Sequence, residues 1–248
     1  MFKKAMKIAY IVSLFFGTRR VQSQGYRADR LEYLNKHLEQ LGKLEHNISK
    51  VIFVINEETQ REFSKIETQR AIEKISNFKS IDSSVIVREN EGYSYGAWDA
   101  ALKKYSKDFD YCFLIEDDYA PVVDNFDEKF REYFSKDERL GYVCQLWWNH
   151  KGGTVFHAGI SNGLIKTSAY LSTEGFQLVD CKGKTSYNHG IENQKFFLAP
   201  LIEKGYTAMD IGDKYRNYFL NHLSEMLTYG NENGEDLILP IHENAKWI

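Results

Sequence analysis

An α/β domain with a mostly parallel central sheet is what this sequence predicts, and three observations predict it. Apolar, β-branched runs alternate with helix-spaced stretches through the first half. The runs are apolar at nearly every position, as strands covered on both faces must be. Their carboxyl ends collect residues that a stable core does not need: "FFGTRR", "INEE", "RENEGYSYG" and "EDD". In open parallel sheets, ligands gather at that edge.

The elements follow in order. "KIAYIVSLFF" is the first strand. Its setting, three lysines ahead of an apolar run, imitates a signal peptide. Ile8 to Phe16 is short, however, contains Ser13, and leads into "GTRR" rather than a small-residue cleavage site. It also falls far below the roughly 20 residues that span a bilayer, and no other stretch is expected to cross one. "DRLEYLNKHLEQLGKLE" then sets Leu31, Leu34, Leu38 and Leu41 at helical spacing, with Asp29 available as a cap. "KVIFVIN" is a second strand, residues 57 to 77 a polar helix, and "SSVIVREN" a third strand. "SYGAWDAALKKY" restores helical spacing before "DYCFLIEDD", the fourth strand. Three strand–helix units in succession argue for parallel strands joined by right-handed crossovers.

Beyond residue 121 the pattern is less regular. "LGYVCQLWW" and "TVFHAGISNGLIKTSAYL" read as strands, the latter turning at "SNG". "NQKFFLAPLIEKGY" reads as a helix interrupted by Pro200 and closed by Gly205. Past Tyr215 the pattern is helical, then loop-like. With three prolines and no linker, the 248 residues suit one domain, residues 1–120 carrying the regular strand–helix alternation and 121–248 the less regular pattern.

Composition removes some functions. A net charge of -3 supplies no basic field, which excludes nucleic acid as the main partner. Cys112, Cys144 and Cys181 cannot all pair and lack metal-ligand spacing, so they are expected to be reduced, in a cytoplasm-like compartment. The aromatic content of 15% belongs mostly to the core, although sugar-handling surfaces also use ring faces.

The stretch "YCFLIEDDYAP" carries the chemistry. On an extended chain, side chains alternate with period two, which sets Glu116 and Asp118 on one side and Asp117 on the other. Two converging carboxylates suit a hard divalent cation, Mg²⁺ or Mn²⁺, which would neutralise a departing diphosphate. The plainer reading is the polar start of a loop, but three adjacent acids repel one another, and that favours the cation. "FFGTRR" offers Arg19 and Arg20 to a phosphate or to solvent alone.

The apolar run into "EDD" after several β-α units resembles the DxD-type motif of GT-A fold glycosyltransferases, particularly family 2-like enzymes, with Glu in place of the first Asp. The resemblance implies a Rossmann-like GT-A fold in a single domain, with helices on both sheet faces. It implies a metal-dependent transfer from a nucleoside-diphosphate sugar to a glycan or glycolipid hydroxyl, in the cytoplasm or peripheral to a membrane, as in polysaccharide biosynthesis. Carried over, Glu116 lies near the donor ribose or metal, and Asp118 holds the metal. "RENEGYSYGAWDAAL" is similar to the family's Asn-x-Gly segment, which puts Asn90, Gly92 and Gly96 near the donor with Gly17, Arg19, Asn56 and Asp117. A structural turn would explain those glycines as well.

"HGIENQKFFLAPLIEKGY" is similar to the acceptor-side Gly-x-Glu-Asp or Gly-x-Glu-Asn segment of these enzymes. Asn193 stands where many relatives carry the base, so Glu192 is the local carboxylate able to deprotonate the acceptor in an inverting reaction. Otherwise the enzyme retains configuration, or Glu192 caps a helix. His222 matches the late histidine that completes the metal or diphosphate site in several such families, with His242 its competitor. Trp147, Trp148 and Asn162 fall where these enzymes meet sugar and acceptor, although either tryptophan also suits a core strand. Two other readings stand beside this one. A sugar nucleotidyltransferase would need a Gly-rich basic phosphate loop after the first strand, which "FFGTRRVQSQG" matches poorly. A non-catalytic glycan- or nucleotide-binding protein is the other.

Overall fold

The computed structural model describes residues 6–16, 30–58, 61–117, 119–144, 163–176, 198–211 and 219–221. A seven-stranded sheet organises the chain. Its strands are β1 (Ile8–Phe15), β2 (Ile48–Glu57), β3 (Ser83–Glu89), β4 (Tyr111–Glu116), β6 (Leu140–Cys144), β7 (Gly163–Lys166) and β8 (Thr207–Asp210). They lie in the order β3-β2-β1-β4-β7-β6-β8. The first four run parallel, as the strand–helix alternation predicts. β7 is inserted antiparallel between β4 and β6, while β6 and β8 are again parallel. A small antiparallel pair joins β5 (Tyr119–Pro121) to β9 (Phe219–Asn221).

Helices cover both faces. On one lie α1 (Arg30–Lys43), α2 (Glu62–Asn77) and α4 (Phe126–Phe134); on the other lie α3 (Tyr93–Tyr105), α5 (Thr167–Leu171) and α6 (Ala199–Glu203). Strand periodicity divides the core accordingly. Tyr10, Val12 and Leu14 of β1 join Val51, Phe53 and Ile55 of β2 against Leu34, Leu41 and Phe126. Ala9 and Ile11 join Ile52, Val54, Cys112 and Leu114 against Trp98 and Leu102. Each large apolar side chain buried this way contributes about 1.5–3 kcal/mol.

Three expectations change. β4 ends at Glu116 and Asp117 already turns, so strict alternation stops one residue short of Asp118. The expected strand over "TVFHAGISNGLIKTSAYL" divides within its described part, because the chain leaves β7 after Lys166 to form α5. Pro200 occupies the first turn of α6, where its missing N–H costs nothing, and residues 193–197 of the helix expected there lie outside the described residues. Gly205, at φ 82°, follows that helix as expected. Residues 219–221, read as helical, form β9, because Tyr119 to Pro121 offers an edge to pair with.

Candidate functional site

At the carboxyl edge of the parallel strands, one polar side chain from each strand faces α3. Ser13, Asn56, Arg88 and Glu116 continue the same alternating faces as Ile11, Val54, Ile86 and Leu114. The register sets Ser13 beside Glu116 and Asn56 beside Arg88. Hydrogen bonds connect three of the four. Arg88 Nη1 donates to Asn56 Oδ1 at 2.7 Å, and Asn56 Nδ2 donates to Ser13 Oγ at 3.2 Å. A guanidinium has only donors, so it dictates which way the Asn56 amide points. Ser13 and Asn56 are buried, and a satisfied polar pair there holds its geometry firmly.

Arg88 also grips the following loop. Its Nη2 donates to the Glu91 carbonyl at 2.8 Å. That carbonyl lies so close to Gly96 that a Cβ there would collide with it. Gly92 and Tyr93 take left-handed φ values of 72° and 51° as the chain swings from β3 into α3. For tyrosine such a value carries strain of order 1–3 kcal/mol, a cost concentrated at functional turns. Burial pulls the Arg88 guanidinium below its ordinary value, and Glu91 and Asp99 pull it back up. Asn90 donates its N–H to the Glu57 carbonyl at 3.2 Å, while its buried Oδ1 has no hydrogen-bond partner among the described residues.

Helix α3 is fixed at both ends of its first turns. Ser94 Oγ donates to Glu116 Oε1 at 3.0 Å, and Trp98 Nε1 donates to the Ile115 carbonyl at 3.2 Å. Buried Asp99 accepts from the Tyr170 hydroxyl at 2.9 Å and the Phe176 N–H at 3.1 Å, and pairs with Lys103 at 2.6 Å. Burial first, then Asp99, pushes the Tyr170 hydroxyl well above its ordinary range. The helix start has no acidic side chain of its own, so its positive end is left for groups at the sheet edge.

Asp117 faces the other side. It is buried against α1, its Oδ2 accepting the Phe15 N–H at 3.1 Å and its carbonyl bonded to His37 Nε2 at 3.0 Å. Its carboxylate joins the acid turn to the end of β1, rather than lying at the edge with Glu116.

Of the expected site residues, the structure brings Asn56, Asn90, Gly92, Gly96 and Glu116 to one edge. Gly17, Arg19, Arg20, Asp118, Trp147, Trp148, Asn162, Glu192, Asn193, His222 and His242 lie outside the described residues, as does Cys181. Cys112 and Cys144 are buried, neither of them in a disulfide. Glu116 is the described member of the expected metal set, and among the described residues no group of three His, Cys, Asp or Glu could hold a metal ion. Sequence reasoning missed Arg88, Ser94 and the site role of Ser13. A serine near the end of an apolar strand, and an arginine closing another, were the available signals.

No family model matches the chain, and no curated protein matches its sequence. Among solved structures, it is similar to a cytidylyltransferase from Leptospira borgpetersenii, with TM-score 0.51 and 12% identity over 89% of this chain and 84% of that one. It is also similar to glucosyl-3-phosphoglycerate synthase from Mycobacterium tuberculosis, at TM-score 0.46 and 11% identity, over 90% and 75% of the two chains. For mouse xyloside xylosyltransferase 1 the values are 0.38 and 10%, over 65% and 66%. The first likeness shows a shared fold: one domain, a mostly parallel Rossmann-like sheet, helices on both faces. Among the described residues, no helix is long and apolar enough to cross a membrane.

Proposed function

We propose that this chain is a transferase acting on a nucleotide sugar, moving the sugar of a nucleoside-diphosphate donor to a hydroxyl of a glycan or glycolipid, with inversion. One observation carries the reading: the bonded row Ser13–Asn56–Arg88, continued in register to Glu116, at the ligand edge of a parallel sheet and beneath a strained helix start. The Asn90 Oδ1, without a partner among the described residues, adds an acceptor for a base or ribose donor.

In this reading Gly17, Arg19, Asn56, Asn90, Gly92 and Gly96 surround the donor nucleotide. Glu116, Asp118 and His222 would hold Mn²⁺ or Mg²⁺, whose charge would stabilise the leaving diphosphate. Trp147, Trp148, Asn162 and Asn193 meet the acceptor, and Glu192 takes its hydroxyl proton. The acceptor oxygen bonds to the anomeric carbon as the bond from that carbon to the diphosphate breaks. Such a role suits polysaccharide assembly in the cytoplasm or at a membrane surface.

Nucleotidyl transfer is the second reading, favoured by the fold shared with a cytidylyltransferase. There a sugar phosphate oxygen attacks the α-phosphorus of a nucleoside triphosphate, and pyrophosphate leaves. The products separate the two. The purified chain is offered UDP-, GDP-, TDP- and CMP-sugars with Mn²⁺ and simple glycoside acceptors, and, separately, nucleoside triphosphates with sugar 1-phosphates. Release of nucleoside diphosphate is the expected result, and release of CMP from the CMP-sugar alone overturns the diphosphate donor. Release of pyrophosphate selects the second reading, and no turnover with any substrate or metal leaves a binding protein.

A further inference from the structure

We propose that His37, acting as its Nε2–H tautomer, is a positioning residue that sets the acid turn through the carbonyl of Asp117. The inference rests on the proposed reading of that turn as part of the donor site. His37 sits fully buried on α1, between Leu34 and Leu41 on the core-facing side of the helix. Its Nε2 lies 3.0 Å from the Asp117 carbonyl, and its Nδ1 lies 3.2 Å from the Tyr10 hydroxyl. A carbonyl oxygen only accepts, so Nε2 carries the proton. Nδ1 is then the acceptor, and Tyr10 donates to it. The chain Tyr10–His37–Asp117 thus has one direction, from the interior of β1 to the peptide unit that leads into Asp118.

Every member of that chain is buried: Tyr10 and His37 at 0% exposure, Asp117 at 4%. Burial also pushes the Tyr10 hydroxyl well above its ordinary range, so it remains a donor. The turn is held a second time by the Asp117 carboxylate on the Phe15 N–H at 3.1 Å. One residue is therefore tied through its side chain to β1 and through its backbone to α1. A leucine at position 37 would suit the apolar surroundings and would remove the Nε2–H donor from the carbonyl. An imidazole here gives direction where an apolar side chain gives only packing. A peptide plane is rigid, so a hydrogen bond to the Asp117 carbonyl restrains the backbone where β4 gives way to the turn.

The test compares His37→Leu, His37→Gln and Tyr10→Phe in the full chain. Glutamine reaches about as far as Nε2 and still offers an N–H. Hydrogen–deuterium exchange without any ligand reads the turn directly. In His37→Leu and Tyr10→Phe, exchange at residues 117–119 is expected to rise about tenfold while β2 stays protected; His37→Gln is expected to restore it. In parallel, the KM for a UDP-sugar with Mn²⁺ should rise in the leucine variant and return in the glutamine variant. Exchange that rises equally over β1, β2 and β4, or a glutamine variant as loose as the leucine one, overturns the proposal and leaves His37 a packing residue. If the exchange pattern holds and the wild-type chain turns over no nucleotide sugar, the functional reading falls while the control of the turn by His37 stands.

Discussion

Glu116 and Asp117 adjoin in sequence and serve opposite sides of the sheet. Glu116 closes β4 on the α3 side, half-buried, with a serine hydroxyl on its carboxylate. Asp117 opens the turn on the α1 side, buried, holding the N–H of Phe15. A serine hydroxyl can rotate to water, whereas a buried backbone N–H has nowhere else to go. The partner of an acid, and not its charge, therefore separates a carboxylate bonded to backbone from one bonded to a side-chain hydroxyl, the one the proposed reading gives to a ligand. The amino edge repeats the lesson: Asp124 and Asp127 accept the N–H groups of Glu45 and Asn47 and tie the loop before β2 to the start of α4.

The contrast can be broken most directly at Asp117. Asp117→Ala should lower unfolding free energy by about 2–3 kcal/mol in urea titration, and Asp117→Asn should recover part of it, since the amide oxygen still accepts from Phe15. If the alanine variant unfolds like wild type, the distinction between the two acids collapses. Glu116→Gln should do the reverse. Stability stays within about 0.5 kcal/mol, while turnover of a nucleotide sugar with Mn²⁺ falls roughly 100-fold.

Arg88→Lys sharpens the ligand side, because an ammonium cannot serve Asn56 and the Glu91 carbonyl with one planar fork. We expect a loss of about 1 kcal/mol in stability and roughly tenfold weaker binding of UDP by calorimetry. The smallest effect tests the Asp117 side through pH. Burial raises the Tyr10 hydroxyl well above its ordinary value, so the folded state holds that proton more tightly than the unfolded chain. Its stabilisation is complete below the unfolded pKa of about 10 and is lost as pH rises beyond it. Near pH 10 the loss from this group is about 0.4 kcal/mol, and Tyr10→Phe should remove that part of the alkaline decline in urea titrations.

Much of this was readable before any coordinates. Apolar periodicity located β1 to β4 and the helices between them, and strand direction put "INEE", "RENEGYSYG" and "EDD" at one edge. Glycine chemistry singled out Gly92 and Gly96, and the structure supplies a left-handed turn for one and a collision for the other. The partners of these residues could not be read the same way. Ser13 was visible only as a flaw in an apolar run, and Arg88 as a charge at a strand end. His37 shares a helical face with Leu34 and Leu41, where a polar residue among leucines was the available sign.

Local pattern is enough to decide strand, helix and sheet edge, because alternation and helical spacing act over a few residues. Only tertiary structure decided that β7 would enter antiparallel beside β4, that residues 219–221 would pair with β5, and that His37 would meet a carbonyl 80 positions away. Those choices depend on which unpaired edge or buried polar group is left over once the core has closed. That is a property of the whole packed chain and is written in no single stretch of it.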